Sequence, residues 1–297
     1  MRALWCFRIW SKKIKGRGNG EMNFANMNLA YQRYPIDYFL DSTVQLDLEA
    51  IELWGGEPHL HVERVTASEV QSLLKKIKSR NLEIVCFTPE QCSYPVNLAA
   101  PDNETRKSSI RYFEKSLAIT DSLECPFLLI SAGYGFFNEP EENAWKRARD
   151  SIYQIAQLAE KKGITLLLEP FFYPYSNVVI NARTAKRMLE EIKTPFLKAM
   201  IDIPCMIVAG DTIGDYNTLF ADDLVHIHFV DGQWGNSSHL ALGEGEFPLD
   251  SLKESLENIG YNEYLTLEFF GNQYNADPEK CVQASLDYAR KKWGSVN

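Results

Sequence analysis

Residues 164–170 read Ile164-Thr165-Leu166-Leu167-Leu168-Glu169-Pro170, an apolar run that stops in a carboxylate. The run is entered from Lys161-Lys162-Gly163 and reads as a strand buried on both faces. Glu169 then lies at the carboxyl end of that strand, and Pro170, which has no N–H to give, stops the ladder. A charge at the mouth of a buried strand must be paired, bound to a metal or neutralised. Taken alone, Glu169 is accounted for as a salt-bridged strand-end acid. The same ending recurs, however, in Lys198-Ala199-Met200-Ile201-Asp202 and in Tyr264-Leu265-Thr266-Leu267-Glu268.

Outward from this stretch the chain alternates strand, loop and helix. Strands are expected at 24–28, 50–53, 84–87, 127–131, 166–169, 199–202, 225–229 and 265–268. Helices are expected at 35–46 with Pro35 in the first turn, at 66–80 capped by Thr66 or Ser68, at 102–123, and at 141–162 ended by Gly163. Further helices are expected at 181–192 capped by Asn181, at 215–220, 249–259 and 278–292. Strands that alternate with helices pair in parallel through right-handed crossovers, and residues 22–297 have the length of a single α/β domain, a (β/α)8 TIM barrel. An open doubly wound sheet is the alternative, but no Gly-x-Gly-x-x-Gly follows the first strand.

Residues 1–21 differ in kind. Arg2, Arg8, Lys12, Lys13, Lys15 and Arg17 face a single acid, Glu21, and 16–20 is glycine-rich. The apolar stretch 4–10 is short for a signal peptide and Arg8 interrupts it, so 1–21 reads as a basic, disordered extension ahead of a natural start at Met22. Composition is otherwise that of a folded soluble domain, 45% hydrophobic and 24% charged. No apolar segment approaches the roughly 18 residues that span a bilayer. A net charge of −9 argues against a nucleic-acid partner, which needs a basic face. Cys6, Cys86, Cys92, Cys125, Cys205 and Cys281 show no paired spacing, which suits reduced thiols in a cytoplasmic protein.

In such a barrel the chemistry sits where strands end. The strand ends carry Glu52, Glu169, Asp202, His226 with His228, and Glu268. Alternation puts His226 and His228 on one face, with His228 nearer the mouth. Either histidine alone reads as a hydrogen-bonded core residue. Glu169, Asp202, His228 and Glu268, brought to one rim by adjacent strands, read as a metal site, because converging carboxylates repel without a cation. An oxygen-rich set with one imidazole suits Mn²⁺, Mg²⁺ or Co²⁺ and admits Zn²⁺.

Several segments carry a resemblance. They are Ile51-Glu52-Leu53-Trp54-Gly55-Gly56, Thr88-Pro89-Glu90 with Tyr94-Pro95, Leu129-Ile130-Ser131-Ala132, Leu168-Glu169-Pro170 and Ser176-Asn177-Val178-Val179. Ile201-Asp202-Ile203, His226-Ile227-His228-Phe229-Val230-Asp231 and Leu242-Gly243-Glu244-Gly245 continue the set. From about Met22 to Arg290 the chain resembles the sugar isomerase/epimerase barrels, which include xylose isomerase-like proteins and endonuclease IV.

The resemblance implies that Glu169, Asp202, His228 and Glu268 hold a divalent metal and that Glu169 and Glu268 are the acid/base pair. It implies C3 epimerisation of a ketose or fructosyl-amine through a cis-enediolate, with no redox cofactor. His239 matches a substrate-contacting position, often Arg in relatives. Glu52, Trp54, Glu90, Tyr94 and Asn177 fall on the expected catalytic rim as substrate-binding residues. Trp54 would stack on a sugar or anchor its loop, and Glu90 would bind a substrate ammonium or be a solvated acid. Asp231 would orient a metal ligand. Three departures stand out: Cys205 where many relatives have His, Ser237 where endonuclease IV has a ligand Asp, and Tyr175 where some epimerases have a second Glu. The alternatives are another sugar isomerase or dehydratase of this barrel, an endonuclease IV-like metallohydrolase, and a non-catalytic sugar-binding barrel. A homo-oligomer is expected, with the aromatic loop 171–175 as a subunit contact or substrate lid.

Overall fold

The computed structural model describes residues 22–294 and Val296, so the basic extension 1–21 lies outside the described residues. The elements in chain order are β1 (Asn23–Met27), α1 (Ile36–Gln45), β2 (Ala50–Gly55), α2 (Ala67–Ser79), β3 (Glu83–Pro89) and α3 (Asn103–Ser122). Next come β4 (Phe127–Ser131), α4 (Glu141–Lys162), β5 (Thr165–Glu169), α5 (Ala182–Ile192), β6 (Leu197–Asp202), α6 (Ile203–Val208) and α7 (Ile213–Phe220). The last are β7 (Leu224–His228), α8 (Leu249–Asn258), β8 (Tyr264–Leu267) and α9 (Pro278–Trp293). The strands close in sequence order into one parallel barrel, β8 pairing back onto β1. The expected (β/α)8 barrel is therefore the observed fold.

Alternation within the strands sets what faces inward. Leu166 and Leu168 of β5 and Ala199 and Ile201 of β6 join the main core beneath the helices. Leu167 and Met200, one residue out of phase, join a second cluster with Ala25, Phe127, Leu129 and Tyr264 inside the barrel. Glu169 and Asp202 share the inward phase of Leu167 and Met200, which is why both acids point into the barrel mouth.

The local chemistry of the helix ends is mostly as the sequence suggests. Thr66 caps α2 in a reciprocal box with Glu69, Asp102 caps α3, Asn181 caps α5, and Gly163 ends α4 at φ 72°. Pro35 differs: it is the N-cap of α1 rather than a residue of its first turn. Several strand ends also differ, and two of them bear on the site. β2 runs on to Gly55, so Glu52 is mid-strand and deeper than a rim residue, and β8 stops at Leu267, leaving Glu268 just beyond it. Among the described residues no helix is long and apolar enough to cross a membrane, and the cysteines at 86, 92, 125, 205 and 281 are free.

Candidate active site

Glu169, Asp202, His228 and Glu268 bring one ligand atom each to within 4.8 Å of one another at the mouth of the barrel. His228 Nδ1 is the hub. It lies 2.8 Å from Glu268 Oε2, 3.4 Å from Glu169 Oε1 and 3.9 Å from Asp202 Oδ2. That nitrogen is buried and makes no well-aligned hydrogen bond. Asp202 is held from below: as the N-cap of α6 its Oδ1 accepts the Cys205 N–H at 2.7 Å, and Oδ2 is left for the site. His239 closes the far side, its Nε2 at 3.1 Å from Asp202 Oδ2 and its Nδ1 on the Ser237 carbonyl.

The electrostatics follow from burial and crowding. Burial raises the Glu169 carboxyl to about 8, the Glu268 and Asp202 charges adding to it against the pull of His228. Burial alone would raise Asp202 too, but His239 and His228 outweigh it and hold Asp202 below the usual carboxylate range. Burial disfavours a charged His239, yet Asp202 and Glu268 carry its pKa up to about 9. For His228 the neighbouring Glu268 and Glu52 overcome the same penalty and raise it well above the ordinary imidazole value. An unpartnered imidazole nitrogen ringed by three desolvated carboxylates fits a divalent cation, whose charge would relieve the repulsion.

Residues 40–292 match the family described as xylose isomerase-like TIM barrel. The chain belongs to that family. This xylose isomerase-like barrel is 28% identical to fructoselysine 3-epimerase of Escherichia coli O157:H7 over 91% of its own length and 98% of the relative. It is 25% identical to D-psicose 3-epimerase of Ruminiclostridium cellulolyticum, covering 78% of each chain. Both are epimerases by name, and an isomerase-class enzyme is what the strand-end residues and segments led us to expect. The fold superposes on a crystal structure of the IolI protein with a bound zinc atom at a TM-score of 0.77, 14% identity, covering 92% of this chain and 100% of that one.

Above the acids the family barrel opens into a cleft. Trp54, Glu90, Glu169, Asp202, His239 and Glu268 all line it. Trp54 is buried against Met27, Leu29 and Phe270, and Asn28 grips its backbone N–H and carbonyl at 2.6 and 3.1 Å. Glu90 is only 6% exposed rather than solvated. Its Oε2 accepts the Trp54 indole N–H at 2.9 Å, and its Oε1 accepts the Cys92 and Ser93 amides at 2.6 and 2.5 Å. Other expected residues do not meet in the cleft. Glu52 is buried behind His228, between the two histidines. Tyr94 stacks on His61 over a separate groove and accepts the Glu57 N–H. Asn177 clips the Gly135 N–H and carbonyl at 2.8 and 3.2 Å. Among the described residues Asp231 makes no hydrogen bond to Glu169, Asp202, His228 or Glu268; its carboxylate gathers the amides of Gly232, Gly243, Gly245 and Phe247, pinning the loop that carries His239.

The expected aromatic loop splits in two. Phe171, Phe172 and Tyr175 form a cleft wall, whereas Tyr173 is 64% exposed against Phe137. Phe270, missed in the sequence, faces Tyr175 at 5.9 Å and His239 at 5.8 Å. Its spacing of two beyond Glu268 is the signal that would have found it.

A pH dependence follows. Without metal, the raised pKa values mean that Glu169 and His228 hold protons at neutral pH that a cation must displace. Those protons are bound below the raised pKa and lost above it, so Mn²⁺ affinity is expected to rise with pH toward about 8. The slope is about tenfold per pH unit for each proton displaced. Calorimetric Mn²⁺ titrations at several pH values and in buffers of different ionisation enthalpy read both the slope and the proton release. A pH-independent affinity would contradict it.

Proposed function

We propose that the chain is a divalent-metal-dependent sugar epimerase that inverts C3 of a ketose or fructosyl-amine. The observation that carries this reading is that Glu169 and Glu268, from β5 and just beyond β8, both line the cleft while sharing Asp202 and His228 Nδ1 within 4.8 Å. Glu169, Asp202, His228 and Glu268 would hold the ion. When bound, it supplies Lewis acidity that makes the C–H between a ketone and its neighbouring hydroxyl acidic.

The protein's own groups do the proton work. One glutamate takes the proton from C3, the electron pair passes into the C2–C3 bond, and the sugar carbonyl becomes the second oxygen of a cis-enediolate. The other glutamate returns a proton to the opposite face as the carbonyl re-forms, giving the inverted carbon. The two carboxyls end with exchanged protonation states and reset by proton exchange. His239 lines the cleft, and its Nε2 hydrogen, now 3.1 Å from Asp202 Oδ2, would be shared with a substrate oxygen. The decisive experiment is proton–deuterium exchange by NMR across ketoses and fructosyl-amino acids. Exchange at C3 with epimer formation is expected, and binding without exchange would leave a sugar-binding barrel instead.

The cleft favours a fructosyl-amine. None of the described residues lining it is Arg or Lys, and its one cationic group, His239, is already paired with Asp202, so a phosphate ester would find no free cationic partner there. Glu90 is a buried acid at the cleft wall beside aromatic rings, suited to a secondary ammonium. The 28% identity to fructoselysine 3-epimerase supports the same choice. The net charge of −9 and the same lack of Arg and Lys in the lining speak against an endonuclease. Glu90→Gln is expected to lower kcat/KM for a fructosyl-amine roughly ten- to a hundredfold, the worth of about 1.5–3 kcal/mol for a hydrogen bond to a charged group. Activity on a neutral ketose should be little changed, and an equal loss on both would discard the ammonium role.

A further inference from the structure

Glu52 is fully buried, lines no part of the cleft and has histidines on both oxygens. Its Oε2 lies 2.7 Å from His226 Nε2 and its Oε1 lies 3.1 Å from His228 Nε2, with the Thr88 hydroxyl donating to Oε1 as well. β2 and β7 are not neighbours; β8 and β1 stand between them, so this contact crosses the barrel interior. For stability alone such a cluster is a poor choice, since a buried ion-paired group together with its partners is often replaced by apolar packing at no loss.

We infer that Glu52, braced by His226, is a positioning residue that fixes the His228 tautomer from behind. A carboxylate only accepts, so the His228 nitrogen facing Glu52 must carry the hydrogen. A neutral imidazole has one N–H and one lone pair, so Nδ1, which faces the three acids, is left with the lone pair a cation needs. The brace also sets the ring plane, because Nε2 is held from the far side of the barrel. Glu52, Cys86 and His226 also bring one donor atom each to within 4.8 Å of one another, but Glu52 Oε2 and His226 Nε2 are already paired at 2.7 Å. The trio is thus a support and not a second cation site.

This inference rests on the metal reading above, and Co²⁺ separates the two. The full-length wild type, Glu52→Gln and Glu52→Leu are compared by Co²⁺ affinity in chelator competition, by the visible spectrum of bound Co²⁺, and by melting of the metal-free protein. Glu52→Leu, which removes both acceptors, should weaken Co²⁺ about 10–100-fold, shift its absorption bands and lower metal-free melting, because His226 and His228 lose their buried partner. Glu52→Gln, which keeps one acceptor oxygen, should fall between Leu and wild type. Affinities within about twofold of wild type and unshifted spectra in both variants would overturn the positioning role while leaving the metal reading intact. Losses of affinity in both variants that follow lowered metal-free melting with unshifted spectra would also overturn it, as a purely structural effect. A wild type that binds no Co²⁺ would fail the metal reading and this inference with it.

Discussion

Glu268→Gln is expected to bind sugar and metal yet lose proton exchange at C3 by about 10²–10⁴-fold, the usual worth of a positioned acid/base group. Glu268 sits one residue past β8 with Oε2 2.8 Å from His228 Nδ1. Glutamine keeps its shape and an oxygen that can still face the cation, but an amide cannot accept the substrate proton. The assay is solvent-deuterium incorporation by NMR at saturating metal, with sugar binding measured separately on the same protein. Exchange at the wild-type rate would remove Glu268 from the acid/base pair. A loss of binding that parallels the loss of exchange would instead assign it to substrate holding.

Chelation should have an effect of the same order. The proposed ion supplies several kcal/mol of charge stabilisation, so stripping it should slow epimerisation by about a thousandfold or more, and Mn²⁺ or Co²⁺ should restore it. The site itself argues for the size of the loss. Without a cation, burial raises Glu169 to about 8, and a carboxyl still protonated at neutral pH is a poor base. A ligand that binds only the folded state also stabilises it, so the stripped protein should melt at a lower temperature and recover on reloading. Full activity in protein shown to be free of metal by elemental analysis would sink the proposed mechanism.

The barrel was legible because its signals are local. Leu166 to Glu169 announces a buried strand and its end without knowledge of any partner, and repeated strand ends announce a common rim. The convergence at Asp202 and His228 was legible for the same reason, since alternation fixes which side chains face inward. What escaped depends on distant partners. Glu52 looked like a rim residue because the apolar run stops at Leu53, but pairing with β3 carries β2 on to Gly55 and sinks Glu52 one layer. Tyr94 and Asn177 sit in rim loops, yet Glu57 and Gly135, 37 and 42 residues away, claim their polar atoms. The helix α6 hid behind Pro204, because proline so close to a strand end reads as a break and not as a first helical turn.

Asn177 is half of a larger arrangement. Asn97 ties itself to the Tyr134 N–H and carbonyl at 3.0 and 2.9 Å just as Asn177 ties itself to Gly135, and Ser176 bonds the Gly133 carbonyl at 2.8 Å. The loops after β3, β4 and β5 are thereby laced into one panel, and Phe171, Phe172 and Tyr175 hang on its inner side. Such a panel behaves as a cassette. Retargeting the enzyme by exchanging a single loop from a relative would cut the lacing, whereas transplanting residues 90–102, 132–140 and 170–181 together would carry both the wall and its fastenings.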